Sequence, residues 1–127
     1  LAVSGARWFK DKVQEQQEAL GFVRMLMDAP IPKIAIENPV SVISSRIRKP
    51  DQIVQPWWFG DPVQKSTCLW LKGLPLLTKT NDVYKEMMEL PRKEREKIWY
   101  APPGPDRWKI RSTTFPGFAR AMAEQWG

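Results

Sequence analysis

Histidine is absent from this chain and cysteine occurs once. The first absence removes the commonest general base and a principal metal ligand; the second excludes an intrachain disulfide. A zinc site is therefore not expected, and a reducing cytoplasm is the default setting for a lone thiol. No apolar run approaches the roughly 18 residues of a membrane span, so no membrane partner is expected. There is no internal repeat and no long low-complexity tract.

What the chain does have is charge of one sign, proline and tryptophan. Twenty Lys and Arg face fourteen Asp and Glu, a formal charge of +6 with a pI near 9.7. Basic domains often meet phosphate backbones through counterion release, although many proteins of this charge never touch nucleic acid. Twelve Pro and seven Trp imply many irregular connections pinned by large side chains. At 127 residues the chain is expected to be one domain, 1–127, with room for a single core.

One stretch organises the rest. Lys33-Ile34-Ala35-Ile36-Glu37-Asn38-Pro39-Val40 reads as a short buried strand stopping at an acid, an amide and a proline. The apolar run Ile34 to Ile36, bounded by Pro32 and Pro39, has the pattern of a central strand in a parallel sheet. Ligands in open α/β sheets sit beyond the carboxyl ends of strands, which is where Glu37 and Asn38 fall.

Before that strand, residues 1–9 read as a loop with Arg7, Trp8 and Phe9 as an anchor. A helix is expected over residues 12–28. Val13, Gln16, Ala19, Leu20, Val23, Leu26 and Met27 follow its 3-4 spacing, Asp11 is the candidate N-cap, and Pro30 and Pro32 end it. After the strand comes a polar, basic loop with Arg46, Arg48 and Lys49. Residues 53–55 are a candidate short strand, Trp57, Trp58 and Phe59 an aromatic cluster, and residues 67–71 a second confident strand. Short helices are expected at 82–89 and 92–98, a stiff linker at 101–105, and a last helix at 116–125.

Three features carry candidate chemistry. A carboxylate at a strand end, Glu37 with Asn38 beside it, can hold a proton or grip an amidine-like base edge; capping the following turn is the plainer role. Arg46, Arg48 and Lys49, with Trp57 and Trp58, combine phosphate-tracking charge with stacking surfaces. A packing role for both Trp is equally consistent with the residues. Lys65 can reach a phosphate or base, or simply be solvated. Cys68, inside an apolar strand with no base nearby, reads as a structural thiol.

Several strings occur together in one order: Leu-Ala-Val-Ser-Gly-Ala-Arg-Trp-Phe, Ile-Glu-Asn-Pro-Val, Arg-Lys-Pro-Asp-Gln-Ile-Val-Gln-Pro-Trp-Trp-Phe-Gly, Lys-Ser-Thr-Cys-Leu-Trp-Leu-Lys-Gly-Leu-Pro, and Arg-Ser-Thr-Thr-Phe-Pro-Gly-Phe-Ala-Arg-Ala-Met-Ala-Glu-Gln-Trp-Gly. Together they resemble the phage and prophage DNA cytosine methyltransferase-like family, over essentially the whole chain. The resemblance implies a partial Rossmann-like methyltransferase sheet in an α/β domain, with flanking helices and a Pro/Trp-rich irregular region. It implies S-adenosylmethionine as cofactor and DNA as partner, with base flipping, because the reacting ring carbon is buried in a stacked duplex.

Within that resemblance, Glu37-Asn38-Pro39-Val40 is similar to the Glu-Asn-Val strand end that holds the flipped cytosine, with an inserted proline. Gln64-Lys65-Ser66-Thr67 is similar to a Gln-x-Arg-x-Arg motif, with Lys65 in place of an arginine. The last helix, entered through Ser112-Thr113-Thr114, resembles the C-terminal motif beside the cofactor. The family's Pro-Pro-Cys nucleophile and cofactor loop have no counterpart in these residues, and Cys68 is not a substitute. The expectation is the C-terminal two-thirds of such a protein, inactive alone, with an exposed sheet edge open to homo-oligomer pairing. A non-catalytic binding module for nucleic acid or protein, of phage or mobile-element origin, is the alternative. An enzyme acting on a free nucleotide or modified base is a weaker third.

Overall fold

Alternation at period two decides the first strand. In the computed structural model, which describes residues 9–39 and 42–127, β1 (Ile34–Pro39) half-buries Ile34, Ile36 and Asn38 and exposes Ala35 and Glu37. That is the signature of a strand covered on one face, and its partner is antiparallel. β3 (Thr67–Lys72) pairs with it from Ile34↔Lys72 to Pro39↔Thr67. β2 (Gln52–Val54) lies on the other side of β3, giving an open three-stranded antiparallel sheet in the order β1-β3-β2. The expected central parallel strand is thus an edge strand with an antiparallel neighbour. The apolar run Ile34 to Ile36 was too short to separate the two cases, and Pro39, which cannot donate to a ladder, suits an edge.

The chain is mixed helix and strand, and it divides into two compact units. The first comprises residues 1–53 and 67–74. Its long helix, α1 (Phe9–Met27), places Leu20 and Val23 against Cys68 and Trp70 of β3 and against Ile43. Met27, Ile36, Val42 and Ile47 pack around this cluster. Fully burying side chains of this size contributes roughly 1.5–3 kcal/mol each. The helix starts two residues before Asp11, so Asp11 lies within the helix rather than capping it. Leu26, expected on the covered face, is 36% exposed. Ile43 is fully buried because residues 43–46 form a helical turn, α2 (Ile43–Arg46), inside what read as loop.

A hydrogen-bonded lattice joins residues 48–51 to β3. The buried Trp70 donates its indole N–H to the Arg48 carbonyl at 2.8 Å. The Asp51 amide donates to the Leu69 carbonyl at 2.8 Å, and the Leu71 amide donates to Asp51 Oδ2 at 2.6 Å. Gly73 then turns the chain at φ +65°; a Cβ there would lie 2.2 Å from the Pro32 carbonyl oxygen, so only glycine fits.

The second unit comprises residues 54–66 and 75–127. It holds the helices α3 (Tyr84–Met88), α4 (Arg92–Arg95), α5 (Arg107–Ser112) and α6 (Pro116–Trp126). The Pro/Trp-rich turn at 56–59 serves as an acceptor hub. The Trp58 carbonyl accepts from the Thr80 and Asn81 amides at 3.1 Å each, and the Trp57 carbonyl accepts from the Val83 amide at 2.9 Å. Irregular backbone is stable here because its polar groups are satisfied. Phe59 stacks on Phe118 of α6 with centroids 5.6 Å apart, and Asp61 Oδ2 accepts from the Gly117 amide. At the far end of α6, Gln125 brackets Thr78, accepting from its amide at 2.8 Å and donating to its carbonyl at 3.0 Å. Of the loop expected at residues 1–9, Phe9 is instead the first residue of α1, while residues 1–8, like Val40 of the strand-end motif, lie outside the described residues.

Candidate functional site

The carboxyl end of β1 presents Glu37 and Asn38 to opposite faces of the sheet. Asn38 shares the α1 side with Ile36 and sits across from Cys68, half-buried. Glu37 is exposed on the other side, across from the fully buried Leu69. Among the described residues no hydrogen bond or ion pair holds the Glu37 carboxylate. It is available to accept hydrogen bonds from a ligand amine.

At the opposite end of the same strand lies a groove of about 430 Å³ in the first unit. Ile34, Ile36, Trp70 and Leu71 line its floor, and Arg24, Arg46, Arg48 and Lys72 surround it, with Asp28 the single acid. Three of these cations also hold the backbone together. Arg24 donates to the Arg46 carbonyl at 3.0 Å, and Lys72 donates to the Ala29 carbonyl at 2.9 Å. Arg48 donates to the Leu71 carbonyl at 3.3 Å and pairs with Asp51 at 3.0 Å. Arg46 is exposed at the rim with no partner for its guanidinium among the described residues. Lys49 is exposed in the following loop.

The residues expected to act together are therefore dispersed. Arg46 and Arg48 gather at the amino end of β1, whereas Glu37 and Asn38 are at its carboxyl end, roughly three residues or 10 Å along the strand. Lys65 belongs to the second unit, where its amide donates to Gln55 Oε1 at 2.8 Å and its ammonium to the Thr113 carbonyl at 3.0 Å. Trp57 and Trp58, also in the second unit, meet edge to face at 6.2 Å and are half-buried. Lys79 lies about 5 Å from both rings, and Tyr84 packs on Trp57. Cys68 is buried, and desolvation pushes its thiol up, away from the thiolate a nucleophile needs.

Sequence reading missed Arg24 and Lys72. Arg24 stands on the polar face of α1, but its place in the last helical turn is the signal that it reaches beyond the helix. Among the described residues no three His, Cys, Asp or Glu gather to hold a metal ion, and no helix is long and apolar enough to cross a membrane. Comparison with protein families, curated proteins and solved structures gives no match.

Proposed function

We propose that this chain is a DNA cytosine methyltransferase-like domain that contributes the base-holding side of the site and is inactive alone. The observation that carries the reading is the exposed Glu37 carboxylate near the carboxyl end of β1, which no hydrogen bond or ion pair holds among the described residues, with Asn38 beside it. The Rossmann-like sheet stays part of the proposal on the strength of the sequence resemblance, since the three described strands pair only antiparallel.

In this reading Glu37 accepts a hydrogen bond from the exocyclic amine of an extruded cytosine, the contact that carboxylates make with that base. Asn38, half-buried on the opposite side, fixes the strand end. Arg46, Arg48 and Lys49 meet phosphates, with Lys65 as a further contact. The groove beside α1 does not fit S-adenosylmethionine: its sulfonium is a cation, and that groove sets four cations against one acid.

The test is binding of duplexes carrying one bulged base, followed by anisotropy. A bulged cytosine is expected to bind tighter than a bulged thymine, and Glu37→Gln to erase the difference. Equal affinities in the parent chain would remove the reading. Calorimetry with S-adenosylmethionine is expected to be silent.

A second reading, a non-catalytic nucleic-acid- or protein-binding module, is favoured by the separation of the basic groove from Glu37. It predicts DNA binding that Arg46→Ala weakens and Glu37→Gln leaves unchanged. Phage or mobile-element origin and a cytoplasmic setting accompany either reading as proposals. So does pairing of β1 with a second copy along its open side, which light scattering would show as twice the chain mass.

A further inference from the structure

Among the described residues, the two most exposed tryptophans are in neither part of that site. Trp99 is 68% exposed and Trp108 is 67% exposed, both in the second unit. Indole rings have the largest apolar surface of any side chain, so two left this open stand out. Each ring carries a cation. Arg111 lies 5.7 Å from the centre of the Trp99 ring, and Lys109 lies 5.8 Å from that of Trp108. Trp108, Lys109 and Arg111 are all on α5, so this short helix sets the charges beside both rings.

A second feature adjoins them in sequence. A groove of about 520 Å³ runs between residues 93–102 and 110–115, with Tyr100, Ile110 and Phe115 as its apolar lining and Lys93 and Lys97 at its border. Lys97 stands 5.8 Å from the Phe115 ring. The pattern of the two tryptophans is thus repeated, an aromatic face with a cation over it. Across residues 92–111 there are seven Lys and Arg against three Asp and Glu. Of the acids, Glu96 is paired with Arg92 and Asp106 lies 3.7 Å from Lys109.

We infer that the second unit binds single-stranded nucleic acid at α5 and Trp99, with Trp99 and Trp108 as stacking platforms and Lys109 and Arg111 as phosphate contacts. Every base has a flat π-face, so exposed rings bind bases without regard to sequence, and cations beside the rings meet the phosphates of stacked nucleotides. A duplex keeps its bases stacked on one another and cannot offer those faces. An acidic protein would satisfy the charges but has no reason to seek two bare indoles. Neither the cofactor nor Glu37 enters this assignment, and its failure would leave the base-holding reading untouched.

The test is anisotropy of a labelled 20-nucleotide oligo(dT) with the full chain, against a duplex of the same length and against heparin. Oligo(dT) is expected to bind tighter than the duplex and to weaken as salt rises. Trp99→Ala and Trp108→Ala are each expected to weaken oligo(dT) binding about tenfold, with Trp→Phe retaining most of it. Both side chains are largely outside the packed interior, so circular dichroism of the variants should match the parent. Preference for the duplex, or Ala variants that bind oligo(dT) as the parent does, would overturn the assignment. Heparin binding that falls in step with oligo(dT) in the Trp variants would overturn it too, because a sulfated chain has no bases to stack.

Discussion

Trp70 donates its indole N–H to the backbone carbonyl of Arg48, 2.8 Å away, from a side chain that is 1% exposed. One residue therefore fills the core beneath α1 and ties down the loop that carries the basic groove. Core packing and the shape of the groove are mechanically linked there.

Trp70→Phe should remove that link while keeping an aromatic ring. The Arg48 carbonyl loses a donor and a small void opens, together worth about 2–4 kcal/mol. Urea unfolding followed by circular dichroism would measure it. Asp51→Ala should loosen the same loop from the other side, because its carboxylate accepts from Leu71 and pairs with Arg48.

Two glycines in helices should respond to alanine in opposite directions. Gly117 of α6 has the Phe59 carbonyl oxygen 2.0 Å from where a Cβ would stand, so Gly117→Ala must push α6 off the Phe59 turn. A loss of about 1–3 kcal/mol is expected. Gly21 of α1 has nothing within 4 Å of that position. Gly21→Ala should stabilise by about 0.5–1 kcal/mol through helix propensity. Thermal midpoints of the two variants would diverge on either side of the parent.

The Cys68 thiol supplies a pH signature. Burial raises its pKa in the folded chain above the ordinary 9.0. A folded value above the unfolded one means that the contribution is fully present below pH 9.0 and is lost as pH rises through the folded value. Cys68→Ala removes this dependence. The stability difference between parent and variant should shrink with rising alkalinity, as read from urea midpoints across that range.

Gln125 holds Thr78 through both amide atoms, and Trp126 donates to the Pro75 carbonyl at 2.8 Å. Gln125→Ala should leave α6 formed but release residues 75–78. The Thr78 amide would then exchange with solvent at least tenfold faster, with the Met87 amide unchanged, by hydrogen exchange and mass spectrometry.

The apolar run 34–36 and the strands expected at 53–55 and 67–71 overlap β1, β2 and β3, and the helices expected at 12–28 and 116–125 overlap α1 and α6. Strand direction was not legible, because a three-residue apolar run fits an edge strand as well as a central one. The turn at Ile43–Arg46 was hidden by Ser44, Ser45 and Arg46, which look like loop while Ile43 alone carries the burial. α5 was hidden by its pattern: Arg107, Lys109 and Arg111 recur at every second residue rather than at helical spacing. For the site, Glu37 and Asn38 were legible as a strand end. That Arg48 and Lys65 would be engaged by backbone carbonyls of Leu71 and Thr113 depends on contacts 23 and 48 residues away in sequence.

The order β1-β3-β2 has a consequence for how the chain is made. The two strands synthesised first are not neighbours, and each waits for the same partner. A nascent chain ending before Thr67 has no sheet at all, only two strands with unmatched ladders. Both ladders need residues 67–72, and without β3 Leu20 and Val23 of α1 lack Cys68 and Trp70, the side chains they pack against.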